Sequence, residues 1–84
     1  MSAMEKMAKA KSLAAIQSPT LGFWLRGLPL QVATKETIAP AKLLHVSESG
    51  VILFDEEVVE LFPEEHLSNA ILHEVLHWAH KRSR

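Results

Sequence analysis

The residues of this chain best suited to chemistry lie in one segment, His73-Glu74-Val75-Leu76-His77. Two histidines four residues apart on a helix stand about 6 Å apart along its axis, so both imidazoles can reach one ion at about 2.0–2.1 Å. A glutamate directly after the first histidine projects beside that ion without binding it, where it can take a proton from a water. A metal ion lowers the pKa of its water toward about 7 and polarises a carbonyl under attack. The spacing therefore predicts a divalent-metal site, zinc first among the candidates, with His73 and His77 as ligands and Glu74 as general base. Histidine sites accept several divalent ions, and geometry selects among them.

The chain has five histidines, and His66, His73, His77 and His80 all fall near its end. At about 100° per residue these four share one face of a helix. Leu67, Ile71, Val75, Trp78 and Ala79 take the opposite side, as a core contact would. Leu72 and Leu76 flank the histidine face on one side and Glu74 on the other. His80 is the nearest candidate for a third ligand. About 10.5 Å of helix rise separates it from His73, so a bend at the helix end is needed. Asp55 or Glu56 from the preceding loop, a ligand from a second copy, or water are the alternatives. His66 reads as a surface residue. His45, on an expected strand, reads as structural, or as a partner that orients a ligand.

These residues need a frame. Proline at position 63, then Glu64 and Glu65, starts a helix that should run to about residue 81, with Lys81, Arg82 and Arg84 suiting its C-terminal dipole. Residues 2–16 read as a helix rich in Ala, Met, Lys and Glu, with Met4, Met7, Ala8, Leu13 and Ile16 as its apolar stripe. Ser18-Pro19 breaks it, and residues 20–28 suggest a second helix carrying Leu21, Phe23, Trp24 and Leu25. Residues 30–33, 43–46 and 51–54 read as short strands, the last two joined by the turn Ser47-Glu48-Ser49-Gly50. Residues 34–41 form a polar connection. Asp55 can cap a short helix over residues 56–62. The acidic pairs at helix starts read as caps, and Phe23, Trp24 and Phe54 as core.

The fold class is thus α+β. It comprises N-terminal helices, a two- or three-stranded, mostly antiparallel sheet, and a C-terminal helix bearing the motif. At 84 residues the chain allows one domain, residues 1–84, with one modest core and no deep enclosed cleft. The net charge of -1 and the dispersed Lys and Arg argue against a nucleic-acid surface. The absence of cysteine excludes disulfides and thiolate metal sites. No apolar run reaches the roughly 20 residues that span a bilayer, and no secretory signal is present, so the cytoplasm is the expected location. Three glycines do not make a phosphate loop.

Residues 18–80 resemble a metallopeptidase domain of the kind often found beside von Willebrand A-like domains. The resemblance rests on Ser18-Pro19 with the aromatic helix after it, Leu28-Pro29-Leu30, Gly50-Val51-Ile52-Leu53-Phe54, Val58-Val59-Glu60-Leu61, and the run Asn69-Ala70-Ile71-Leu72-His73-Glu74-Val75-Leu76-His77. More widely, strand, short helix and motif helix look like a minimal zincin arrangement. The resemblance implies zinc on His73 and His77, with Glu74 as base. It also implies a third ligand five residues after the second histidine, where this chain has Arg82, leaving His80 as the nearest substitute.

Two functions follow. One is a zinc-dependent peptidase in which the strand over residues 51–54 offers its edge to an extended peptide or protein substrate. The other is a non-catalytic interaction or regulatory module that keeps the zincin scaffold. Either is compatible with a homo-oligomer or with a larger parent protein.

Overall fold

Alanine-rich sequence with a serine cap starts the chain's first element. In the computed structural model, which describes residues 2–33 and 43–82, helix α1 spans Ala3–Gln17. Ser2 Oγ accepts from Glu5 N–H and satisfies one of the first-turn donors. The face that α1 buries is Ala3, Met7, Ala10 and Ala14. This corrects the expected stripe: Met7 holds its place, but Ile16 is 77% exposed and Met4 and Ala8 also face outward. The small side chains let α1 approach its neighbours closely. Ser18 ends α1, and proline opens helix α2, Pro19–Leu25. A Cβ on Gly22 would stand 2.8 Å from the Ala15 carbonyl oxygen, so the α1–α2 contact requires glycine there.

Strands β1 (Leu30–Val32), β2 (Leu44–Val46) and β3 (Ile52–Phe54) follow. The expected connection over residues 34–41 lies outside the described residues. The strands at 43–46 and 51–54 do form an antiparallel hairpin, with Leu44 opposite Phe54 and Val46 opposite Ile52. Gly50 closes its turn at φ +89°, where other residues are strained. The sheet as a whole departs from expectation. Its order is β1-β3-β2, and β1 pairs with β3 in parallel. The sheet is therefore mixed, because β3 inserts between the two strands that precede it. A chain that alternates direction places β1 and β3 parallel once they are neighbours.

Asp55 caps helix α3, Glu56–Glu60, accepting from the N–H groups of Glu57 and Val58. Helix α4 runs Glu64–Arg82 and packs most extensively on α1. Leu44, Val46, Ile52 and Phe54 from one face of the sheet join Met7, Leu25, Leu28, Val59, Leu67, Ile71 and Val75 in one core. Buried Ser68 donates to Gln17 Oε1 at 2.9 Å and ties α4 to the end of α1. The expected core role holds for Phe54 but not for Phe23, which is 82% exposed, nor for Trp24, which lies at the surface with its edge against Trp78. None of the helices among the described residues is long and apolar enough to cross a membrane.

Candidate metal centre

Core packing of Leu67, Ile71 and Val75 fixes the rotation of α4 and turns His66, His73, His77 and His80 outward, as the periodicity predicts. The four do not act together. His73 and His77 converge, with their Nε2 atoms 3.1 Å apart and their rings nearly perpendicular at 80°. His66 instead stacks on Phe62 with ring centroids 4.7 Å apart. His80 is exposed and stands outside the groove that His73 and His77 line.

That groove, about 400 Å³ in volume, runs between the β2 hairpin and α4. His45, Val46 and Glu48 line one wall, and His73, Glu74, His77, Trp78 and Lys81 the other. Glu74 is half-buried on the α4 wall, beside the histidine pair. Trp78 fastens the two walls together. A Cβ on Gly50 would approach its ring to 3.2 Å, and its indole N–H reaches toward the Glu48 carbonyl at a long 3.5 Å. Trp78, expected on the core side, is half-buried and lines the groove, and residue type alone does not mark Glu48 or Lys81 as its neighbours there. A helical signal for Lys81 existed, since it follows His77 by four positions.

The sheet also relocates the edge that faces the site. β3, over residues 52–54, is central and bonded on both sides, so it has no free edge to offer. Ile52 N–H donates to the Pro29 carbonyl on the β1 side, and Ala33 N–H to the Phe54 carbonyl. The edge at the groove belongs to β2. Ser47 N–H donates to the Val51 carbonyl at 2.8 Å, which makes that pair a hydrogen-bonded one. The antiparallel alternation then aims His45 backbone groups at Leu53 and turns those of Leu44 and Val46 away from β3. The same alternation puts the His45 side chain on the sheet face opposite Leu44 and Val46. There its Nδ1 is buried and has no hydrogen-bond partner among the described residues.

The histidine pair meets the first requirement of a zinc ion. Two nitrogens at about 2.0–2.1 Å from one tetrahedral ion lie about 3.3 Å apart, close to the observed separation. Neither Asp55, committed to its cap, nor exposed Glu56 lines the groove. Among the described residues, no group of three His, Cys, Asp or Glu side chains is arranged to hold an ion. An ion held there would take two positions from this pair and the remaining ones from water, substrate or another chain.

Comparison with family models, with characterised proteins and with solved structures finds no match to this chain.

Proposed function

We propose that this chain is a zinc-dependent hydrolase acting on peptide bonds, with its site in the groove between β2 and α4. The observation that carries this reading is the convergence of His73 and His77 Nε2 to 3.1 Å on the groove wall that also bears Glu74. His73 and His77 would hold the ion, and His80 stays outside the set. Bound there, zinc would supply Lewis acidity, making water a nucleophile near neutral pH and polarising the scissile carbonyl. Glu74 accepts the proton of the attacking water and returns it to the leaving nitrogen. The backbone groups of Leu44 and Val46 align an extended substrate chain along β2, so recognition depends on main chain more than on side chains. On this reading the α+β frame, with α4 against β2, serves as a minimal zincin-like scaffold.

The second reading is a non-catalytic metal-binding or interaction module. The absence of a third ligand among the described residues favours it.

Zinc content of untagged protein, before and after chelation, tests the site. The hydrolase reading expects one ion per chain at saturation and a raised melting temperature. A protein that holds no zinc, and whose melting is unmoved by adding it, removes the hydrolase reading and leaves only an interaction module without metal. Glu74→Gln separates them. Peptide hydrolysis should fall by about 10²–10⁴-fold with zinc retained. Hydrolysis that survives the substitution removes the role given to Glu74.

A further inference from the structure

Zinc in a closed protein site takes four ligands, and the His73–His77 pair provides two on an exposed stretch of helix. We propose that a second copy of this chain provides the other two, so that one zinc ion bridges two α4 helices across a twofold axis. The proposal rests on His73 and His77 being the metal ligands, and it adds a regulatory state to that same site. A twofold axis through the ion presents the same two nitrogens from each copy, which is what a closed symmetric pair requires.

The surroundings of the pair suit a crossing helix. Both histidines are exposed, so a second chain can approach them. Leu76, directly before His77, is 56% exposed and offers the apolar surface that such a helix would cover. Leu76 alone is far from the roughly 800 Å² per partner that a stable interface buries. Association should therefore depend on the metal. In the bridged form all four positions are filled by histidine, no place is left for water, and the groove beside Glu74 is covered. When zinc exceeds chain, each copy takes its own ion, the copies separate and the site opens. Scarce zinc would thus store the protein as a closed pair, and abundant zinc would release it.

Sedimentation velocity of the untagged 84-residue chain, with zinc as the probe, tests this directly. The expected course is monomer in chelator, dimer at half an equivalent of zinc, and monomer again at several equivalents. His73→Ala should abolish the dimer. Leu76→Glu should weaken it at least tenfold while leaving one zinc per chain at saturation. His80→Ala should leave it intact. A chain that binds one zinc and stays monomeric at every ratio overturns the bridge and leaves the metal site standing. A dimer that survives His73→Ala places the contact elsewhere and overturns it too. A chain that binds no zinc overturns both the bridge and the reading on which it rests.

Discussion

Helix α4 has two faces with opposite fates. Leu67, Ser68, Ile71 and Val75 are fully buried against α1 and the sheet, while His66, His73, Leu76, His77 and His80 face outward. The first face is made of apolar side chains and one satisfied hydroxyl, and it supplies stability. The second carries four exposed imidazoles. Because both faces belong to one rigid helix, the packing of the first sets the aim of the second. Any chemistry at His73 and His77 would be positioned by residues about half a turn away from it. A small domain with a thin stability margin can place ligands this way, since it spends no buried volume on the site.

The contrast can be broken from either side, and the buried side should give the larger change in stability. Ile71→Ala removes apolar volume from a site with no exposure and should cost about 2–5 kcal/mol in urea unfolding. Ile71→Val, expected at about 0.5–1.5 kcal/mol, gives a graded comparison should the alanine variant fail to fold. A cost below about 0.5 kcal/mol for Ile71→Ala would mean that α4 is not anchored through this face.

The exposed side should behave in reverse. In chelator, His77→Ala should leave unfolding within about 0.5 kcal/mol of the parent. With zinc at about 100 times the parent's dissociation constant, the parent should gain about 2.7 kcal/mol and the variant none. Equal gains would show that the ion is held elsewhere.

Ser68→Ala probes the one polar member of the buried face. Its partner Gln17 is exposed and can turn to water, so the loss should be near 1 kcal/mol. Zinc affinity should not move. A changed affinity would show that the α1–α4 tie reaches the groove.

The smallest effect concerns Lys11, whose Nζ donates to the Leu28 carbonyl. Burial lowers its pKa below 10.5, so the folded chain sheds this proton at lower pH than the unfolded chain does. Between the lowered value and 10.5 the unfolded state binds more protons, and this group makes stability rise with pH. Below that window, burial of the charge is a constant cost. Lys11→Met should remove the slope, as read from urea midpoints across that range. An unchanged slope would assign it to another group.

Much of this molecule is legible without coordinates. The periodicity of α4, the cap at Asp55, the Ser47–Gly50 turn and the i, i+4 placement of His73 and His77 all depend on contacts between near neighbours in the chain. Local steric and hydrogen-bonding rules act on them wherever the rest of the chain lies. Three features needed the tertiary structure. Sheet order is a long-range choice, and the insertion of β3 between β1 and β2 made the sheet mixed, so that among the described residues the edge beside the groove is that of residues 44–46 and not of residues 51–54. The buried stripe of α1 was settled by how closely α2 and α4 approach, which selected Ala10 and Ala14 over the bulkier Met4 and Ile16. Phe23 reads as core by type, yet α2 buries Gly22 and Leu25 and leaves Phe23 exposed. The sequence by itself determined that two histidines and a glutamate would share one stretch of helix. The tertiary structure decided what stands across from them, because the opposite wall comes from residues some thirty positions away, brought there by the core that α4 shares with the sheet.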